Sequence, residues 1–386
     1  MNWVPLAGLI SGLLYTTILI VKAAMSRAYL RSHREVEILL RPVTILQPIL
    51  GGDPNLRSVL QSNLEMAPAE AQFWWLVDED DPVGNEVVKD LQMLYPERIR
   101  IVVSPACPEG VNPKTFKLDR VAGEIETEYV AVLDDDTTLS ADQLGKALAL
   151  LSRADIYTGL PCYRVGTTVW SSLVAHFVNN NSIVTYLSLI NWISPVTING
   201  MFYVVRTDSL KSWNGWDPIR HELCDDYAFA RHAKRNGAII HQGITPQMIE
   251  TTVEGGEAYF RLLHRWFVFA NVLVRDQSPG IKVLLFLFLG IPPLLLWGSF
   301  LLLGGDWSGW GLLACILIVR YSVIRSLHYT AFTKPPEFSA ILSLISELGQ
   351  LFHYTHSILS RVILWRSRRI RVKPDGTFEF LWPPRV

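Results

Sequence analysis

Ala131-Val132-Leu133-Asp134-Asp135-Asp136 is the stretch around which the rest of the sequence is organised. The apolar run that ends at Leu133 predicts a buried strand, and the three acids follow where that strand leaves the sheet. Open α/β sheets bind ligands in the crevice at the carboxyl ends of their strands. Three adjacent carboxylates repel one another unless a cation lies among them, and Mg2+ and Mn2+ prefer oxygen ligands that they share with substrate phosphates. The triplet predicts a metal and phosphate site; the alternative is a solvated turn in which Asp135 or Asp136 caps a helix from Ala141.

Short apolar runs alternate with helical patterns on both sides of this stretch. The predicted strands are Val43 to Leu46, Phe73 to Val77, Ile99 to Val103, Tyr129 to Leu133, Ile156 to Gly159 and Gly200 to Val205. Helical windows such as Asn55 to Leu64 and Val83 to Tyr95 separate them. Strands spaced by helices are typical of a mostly parallel α/β sheet. No G-x-G-x-x-G follows the first strand, so the fingerprint of a dinucleotide-binding Rossmann domain is absent.

The composition indicates membrane segments beside this domain. Of the 386 residues, 49% are hydrophobic and only 18% are charged, which is too apolar for an ordinary soluble domain. The net charge of −1 shows no basic excess, so nucleic acid is not an expected partner. The four cysteines are far apart and form no C-x-x-C pair, which indicates neither a zinc site nor a disulfide framework.

Trp3 to Ala24 is long and apolar enough to cross a bilayer, and we assign residues 1–25 as an N-terminal anchor. Basic residues follow it in a linker, 26–42, which includes Arg34. Because positive charge marks the cytoplasmic side, the domain that follows the linker, 43–275, is expected to face the cytoplasm. An uncleaved anchor also fits better than a signal peptide, whose basic residues would precede the apolar run.

Residues 276–386 are predicted to form a C-terminal membrane region with a basic tail. Ile281 to Leu303 and Trp310 to Val323 are expected to span the bilayer. Ile341 to Leu364 carries Glu347 and two histidines, so an interfacial or re-entrant helix is expected there, although four short spans are an alternative. The tail contains Arg366 and further basic residues, which favours the cytoplasm and hence an even number of crossings.

The segment 166–193 is apolar and aromatic and contains no charged residue, yet four polar residues lie near its middle. This pattern favours helices that lie on the membrane surface. A pair of buried core helices is the alternative.

Further polar motifs surround the central triplet in the sequence. Asp78-Glu79-Asp80-Asp81-Pro82 follows the second predicted strand, and Asp78 there could accept hydrogen bonds from a nucleobase or a ribose; the alternative is a turn in which Pro82 starts the next helix. Lys114 and Lys117, in Gly110 to Lys117, could reach a diphosphate as point charges. Asp226 opens a helical pattern and could be a helix cap or a general base.

Five motifs in this order resemble those of ceramide glucosyltransferases and the related bacterial hopanoid glycosyltransferases, which are family 2-like inverting enzymes of the GT-A fold. The five motifs are Asp78-Glu79-Asp80-Asp81-Pro82, Gly110-Val111-Asn112-Pro113-Lys114, Asp134-Asp135-Asp136, Asp225-Asp226-Tyr227 and Leu262-Leu263-His264-Arg265-Trp266. The resemblance covers about residues 43–266. Two features depart from the family pattern: Leu262 stands where relatives carry Gln or Arg, with Arg261 one residue earlier, and three acids stand where the ceramide enzymes have Asp-Ser-Gly.

The resemblance implies a membrane enzyme that moves glucose or N-acetylglucosamine from a UDP-sugar to a lipid hydroxyl, with Mg2+ or Mn2+ as cofactor. Asp226 would be the general base and Asp136 the metal ligand. Asp78, Lys114, Asp134, Arg265 and Trp266 would bind the donor. The alternatives left open are a polyprenyl-phosphate or processive polysaccharide glycosyltransferase and, from another class, an inactive membrane protein that binds nucleotide-sugars.

Overall fold

A seven-stranded sheet carries the centre of the chain in the computed structural model, which describes residues 3–33, 37–305, 307–365 and 368–381. Its order is β3-β2-β1-β4-β6-β5-β7. The strands are β1 (Val43–Pro48), β2 (Ala71–Asp78), β3 (Ile99–Ser104), β4 (Tyr129–Leu133), β5 (Ile156–Tyr163), β6 (Phe202–Arg206) and β7 (Ile240–Ile249). Neighbouring strands are parallel except at β6, which is antiparallel to β4 and β5. The predicted mostly parallel α/β sheet is confirmed.

Helices flank the sheet on both faces and continue into an apolar bundle. They are α1 (Trp3–Ser32), α2 (Leu56–Met66), α3 (Pro82–Leu94), α4 (Pro113–Ala122), α5 (Ala141–Leu150), α6 (Val169–Tyr186), α7 (Thr207–Ser212), α8 (Asp225–Arg235), α9 (Gly256–Arg275), α10 (Pro279–Leu285), α11 (Ile291–Leu303), α12 (Trp307–Ala331) and α13 (Ala340–Leu359). Alternate residues of one strand enter different cores: Ala131 packs with the cluster on one face of the sheet and Val132 with the cluster on the other. A strand buried on both faces is therefore apolar throughout.

All six predicted strands are present, with ends that differ by a few residues. β7 was not predicted, because Ile240–Ile249 mixes Gly, Pro, His and Gln with its apolar residues. It lies at the edge of the sheet, where the ladder tolerates such residues.

The acidic triplet does not cap the helix from Ala141. Ser140 takes that position: its hydroxyl accepts from the Gln143 backbone N–H, and the Gln143 side chain accepts from the Ser140 N–H. This capping box satisfies the free amides of the first turn without help from Asp135 or Asp136. The triplet is therefore available for other contacts.

Among the residues that the structure describes, three helical segments are long and apolar enough to cross a membrane: Trp3–Ser32, Pro279–Leu303 and Trp307–Ala331. The prediction of one N-terminal and two C-terminal spans is confirmed. The second segment joins α10 to α11 through a π-helical turn, Phe286–Gly290. α1 continues to Ser32, so the first residues predicted as linker are helical.

The segment 166–193 contains one helix, α6, rather than several. More than half of its residues are buried, and it packs against β5 and α13. Within the protein, most of α6 is therefore buried, as the alternative of buried core helices requires. Trp192, after its end, is 65% exposed.

The end of the chain folds back onto the catalytic domain. β8 (Val362–Trp365), β9 (Arg368–Val372) and β10 (Phe378–Phe380) form an antiparallel sheet that packs on α8 and α9. The sequence was expected to give only a basic tail there. Arg34 and Arg366, from the two predicted basic segments, lie outside the described residues. α13 precedes this sheet and is not among the three apolar spans.

Candidate active site

The predicted acidic motifs meet at one edge of the sheet. Asp78 ends β2, and Asp134 directly follows β4. β1 pairs with both strands in parallel, so their carboxyl ends point the same way. Two strand spacings, about 10 Å, separate the strands that carry the two acids. Motifs that lie far apart in the sequence therefore face one crevice.

Asp78 forms a buried ion pair with Lys117. The Lys117 Nζ lies 3.1 Å from Asp78 Oδ2 and also donates to the Ile49 carbonyl at 3.1 Å. Both side chains are almost completely buried. Lys117 thus neutralises Asp78 and ties β2 to the end of β1, so its predicted contact with a diphosphate is not seen. The donor-binding role of Asp78 stays a prediction.

The rest of that acidic motif is a helix start. The Asp81 side chain accepts from the backbone N–H groups of Gly84 and Gly51, and Pro82 is the first residue of α3. The turn-and-cap alternative is confirmed for Asp81.

Lys114 joins three parts of the chain. Its Nζ lies 2.6 Å from Asp134 Oδ1 and 3.5 Å from Asp225 Oδ2, and it donates to the Gly200 carbonyl at 2.9 Å. Burial alone would lower the pKa of Lys114, but the two carboxylates raise it well above its usual value. Lys114 therefore stays charged and holds Asp134 and Asp225 together. Its direct contact with a donor stays a prediction.

Asn112 explains why this lysine follows an Asn-Pro pair. The Asn112 side chain accepts from the backbone N–H of Lys114 and so caps α4, where Pro113 is the first residue. Its amide group donates to the carbonyls of Glu222 and Leu223. One buried side chain thus starts the helix that carries Lys114 and fixes the loop that leads to Asp225.

Asp226 lies at the start of α8 beside this lysine. Its Oδ1 accepts from the Tyr227 backbone N–H at 2.7 Å and from the Cys224 thiol at 3.0 Å. A Cβ at position 200 would lie 3.2 Å from the Asp226 Cβ, so glycine there allows the close approach. Burial and, next, the neighbouring Asp225 raise the pKa of Asp226 to about 6. Such a carboxylate can accept a proton near neutral pH.

Asp135 and Asp136 line a separate part of the crevice. Asp135 accepts from the Leu50 backbone N–H at 2.7 Å, and Asp136 accepts from the hydroxyls of Thr137 and Thr251. Burial is the main cause that raises the pKa of both, with repulsion from neighbouring aspartates adding to it: to about 8 for Asp135 and about 6 for Asp136. Burial also raises the pKa of Asp134, which Lys114 partly offsets.

A cleft of about 140 Å³ opens here, lined by Asp135, Asp136, Asp53, Glu250 and the turn after β1. All the ionisable side chains that line the cleft are carboxylic acids, and carboxylate oxygens are the ligands that hard divalent cations prefer. Within the described residues, no group of three or more His, Cys, Asp or Glu side chains is arranged to hold a metal ion. Mg2+ commonly binds through one or two carboxylates together with substrate phosphates. The residues present therefore fit a cation that arrives with a diphosphate.

Arg265 and Trp266, on α9, flank the crevice from the other side. The charge of Arg265 acts to lower the pKa of Asp134, while burial lowers the pKa of the Arg265 guanidinium itself. The Trp266 ring lies 6.0 Å from the Tyr163 ring and 6.2 Å from the Phe177 ring. Trp266 thus packs between β5 and α6, and its closure over a diphosphate stays a prediction.

Arg261 does not replace the basic or amide side chain that relatives have at position 262. It forms an exposed ion pair with Glu257 at 3.2 Å, one turn earlier on α9. Leu262 packs with the apolar cluster under α6. The departure is therefore a substitution of a polar contact by an apolar one.

Some crevice residues carry no sequence signal that could have identified them. Thr251 contacts Asp136 because the loop after β7 is bonded to it: the Glu250 N–H donates to the Asp136 carbonyl at 2.8 Å. β7 itself was not predicted, so this loop could not be placed. Asp225 was visible beside Asp226, but only its distance to Lys114 shows its electrostatic role.

The chain is similar to known proteins in sequence and in fold. The family described as glycosyl transferase family 21 matches residues 4–378. Ceramide glucosyltransferase 1 of Caenorhabditis elegans is 22% identical over 382 residues, which is 95% of this chain and 80% of that protein. A mannosyltransferase from Pyrobaculum calidifontis, solved in complex with GDP-Man and Mn2+, superposes with a TM-score of 0.56 at 14% identity and covers 90% of this chain and 99% of that one. The structural likeness shows a shared fold.

Proposed function

The chain belongs to glycosyl transferase family 21, and we propose that it moves glucose or N-acetylglucosamine from a UDP-sugar to the hydroxyl of a membrane lipid such as ceramide or a hopanoid. The membrane glycosyltransferase activity follows from the family; the donor, the acceptor and the dependence on a divalent cation are part of the proposal. One observation carries it. A carboxylate suited to accept a proton, Asp226, adjoins the Lys114 cluster in a crevice whose wall, α9, also packs on α13.

The route from crevice to membrane runs through α9. Its Arg265 lies among the crevice acids. Its Phe267 ring packs 5.9 Å from His353 of α13. α13 in turn contacts the apolar spans, where the Trp297 indole N–H donates to the Leu348 carbonyl at 2.9 Å. A lipid acceptor gains from such proximity, because each methylene that leaves the bilayer costs about 0.8 kcal/mol.

Asp226 would act as the general base. It takes the proton of the lipid hydroxyl while that oxygen attacks the anomeric carbon, and the bond from that carbon to the diphosphate breaks with its electron pair on UDP. Attack opposite the leaving group inverts the configuration. The contact with the Cys224 thiol and the Tyr227 N–H fixes the carboxylate for this transfer. General-base help of this kind contributes about 10²–10⁴-fold.

Asp78, Asp134, Lys114, Arg265 and Trp266 would hold the donor. Lys114 keeps Asp134 oriented through its 2.6 Å contact, and Arg265 supplies a fixed positive charge toward the diphosphate. Asp136 would hold Mg2+ or Mn2+ with the diphosphate, and the bound cation supplies Lewis-acid stabilisation of a phosphate leaving group. Trp266, packed on Phe177, helps to exclude water from the donor.

The catalytic domain would face the cytoplasm. The tail sheet packs on α8 and α9, so the end of the chain lies on the same side as the crevice. Two spans between them, α10–α11 and α12, satisfy this arrangement. Basic residues after α1 and in the tail favour the cytoplasmic side for both.

The test uses the full-length protein in lipid nanodiscs. Labelled UDP-glucose and UDP-N-acetylglucosamine are supplied in turn with ceramide, a hopanoid, diacylglycerol or polyprenyl phosphate, with and without Mn2+. We expect a labelled neutral glycolipid that requires Mn2+ or Mg2+. Transfer to polyprenyl phosphate alone, or extension to a polymer, would replace the proposed acceptor. Bound but unconverted nucleotide-sugar with every acceptor would contradict the proposal.

A further inference from the structure

A small basic pocket lies outside the crevice, where α9, the end of α13 and β9 meet. It encloses about 40 Å³. Its charged lining consists of Arg275, Arg361 and Lys373 and includes no acid. The first two form no ion pair with any described residue, and Lys373 lies 3.6 Å from Glu379 in an exposed pair. Three positive charges around one cavity are suited to an anion.

The acids nearest in the sequence are already engaged. Asp276, which follows Arg275, accepts from the Tyr227 hydroxyl at 2.5 Å and pairs with Arg231 at 3.1 Å. At the pocket wall, the Asn271 amide donates to the Ser357 hydroxyl at 2.8 Å, and this pair carries no net charge. Glu379 and Asp375 partly offset the charge of Lys373, whereas the lining provides no acid for Arg275 and Arg361.

The helix that ends at this pocket has its apolar side outward. On α13, Ser343, Ser346, His353 and Ser357 are buried against neighbouring helices. Ile341, Ile345, Phe352, Ile358 and Leu359 are exposed, Leu359 by 80%. Such an arrangement is stable only where the surroundings are apolar. Because Glu347 of α13 pairs with Arg320 of a membrane span at 2.7 Å, this outward face continues the surface of the spans.

We propose that the pocket binds the phosphate of an anionic phospholipid whose acyl chains lie along the outward face of α13. The apolar face supplies the lipid context, and the three cations supply the headgroup site. Basic pockets beside membrane helices on the cytoplasmic side bind anionic headgroups in this way. The pocket includes none of the residues assigned to the donor, the cation or the base, so the bound lipid would tie the catalytic domain to the bilayer without entering the reaction.

The test compares two double variants of the full-length protein. Arg275→Gln/Arg361→Gln removes the unpaired cations of the pocket. Lys89→Gln/Arg153→Gln removes two exposed cations of the soluble domain and serves as the matched control. Each protein is placed in nanodiscs of phosphatidylcholine with 20% phosphatidylglycerol and released into the gas phase, and its retained lipids are counted by native mass spectrometry. The affinity for phosphatidylglycerol is measured by titration. Each removed basic residue should weaken that affinity about fivefold.

We expect the wild type and the control to retain phosphatidylglycerol in preference to phosphatidylcholine, and the pocket variant to bind it about thirtyfold more weakly. Arg275→Lys/Arg361→Lys should retain the lipid. Equal retention by the pocket variant would overturn the proposal and leave the two arginines as charges that complement the carboxyl ends of α9 and α13. Displacement of the lipid by millimolar inorganic phosphate would overturn it too, since the pocket would then take free phosphate.

Two further measurements separate the loss of lipid binding from a loss of folding or of glycosyl transfer. If the pocket variant does not fold, as judged by thermal unfolding, Arg361→Gln alone replaces it, with about fivefold weaker binding expected. Glycosyl transfer in pure phosphatidylcholine is measured separately. Failure of transfer with intact phosphatidylglycerol retention would count against the proposed function alone.

Discussion

The crevice and the membrane bundle both hold charged groups away from water, but they balance them differently. In the bundle, the Arg320 Nε lies 2.7 Å from Glu347 Oε2, and its terminal nitrogen donates to the Ser343 carbonyl. Glu347 also accepts from the Tyr15 hydroxyl at 3.0 Å. In the crevice, neither Asp136 nor Asp226 forms an ion pair with a described residue. Balanced charge stabilises a structure, whereas an excess of one sign marks where an oppositely charged ligand or a proton enters.

The largest effect should come from a substitution in the crevice, where Asp226 forms no ion pair with a described residue. Asp226→Asn keeps the shape of the side chain but removes the base, so the transfer rate should fall by about 10²–10⁴-fold. Binding of UDP, followed by calorimetry, should be retained. Asp142→Asn is the matched control, because Asp142 forms only an exposed i,i+4 pair with Lys146. Wild-type turnover in Asp226→Asn would refute the assignment of the base.

Breaking the balanced pair should affect stability rather than chemistry. Arg320→Met leaves the half-buried Glu347 without its cation, and breaking a buried pair in this way typically costs up to about 3–5 kcal/mol. The thermal midpoint should fall clearly, and the double variant Arg320→Met/Glu347→Leu should recover most of the loss. If the double variant is as unstable as the single one, the pair is not the source of the stability.

Asp136→Asn should weaken the use of the cation more than the use of the donor. The concentration of Mn2+ needed for half-maximal transfer should rise by about 10- to 100-fold, a range typical for residues that support a metal site. Electron paramagnetic resonance of Mn2+ with UDP gives a readout that is independent of turnover. An unchanged Mn2+ affinity in this measurement would place the cation elsewhere.

The smallest effect should be a shift of the pH profile. The pKa of Asp226 is raised to about 6 by burial and, next, by Asp225, so kcat/KM should fall as the pH drops through about 6 and the base becomes protonated. Asp225→Asn removes a negative charge that raises the pKa of Asp226. It also leaves Lys114, whose positive charge lowers that pKa, with one carboxylate fewer beside it. Cys224 and Tyr186 also face this carboxylate and are unchanged. The acidic limb should therefore move to lower pH; a move upward would contradict the electrostatic account.

Much of the fold and the crevice was predictable from residues next to the strands. The apolar run before Asp134 and the acid at the end of β2 placed both motifs at one sheet edge, which the parallel pairing with β1 confirms. Charge partners were not predictable, since nothing in the sequence distinguishes Lys117, which pairs with Asp78, from Lys114, which pairs with Asp134. A side chain's partner depends on which helix turn faces the sheet.

In the apolar bundle, too, the partner of a charged side chain was not predictable from the sequence. Lys22 lies near the end of the apolar N-terminal segment, and its Nζ donates to the Phe288 carbonyl at 2.9 Å. Pro292 lies four residues after Phe288 and has no N–H to bond this carbonyl. The sequence shows the proline, but only the packing of α1 on α11 brings the lysine to it. The C-terminal sheet was missed although Ile370 and Val372 alternate with arginines in the strand pattern.

The position of that sheet has a consequence for how the enzyme is made. The Leu223 N–H donates to the Gly376 carbonyl, and Glu222 bridges to Thr377, so the loop before Asp225 is braced by residues that follow the apolar spans in the sequence. A nascent chain lacks this brace until the segment after α13 has been synthesised. The apolar spans are therefore synthesised before the loop next to Asp225 gains this support, and we expect the crevice to reach its final form only after they have been made.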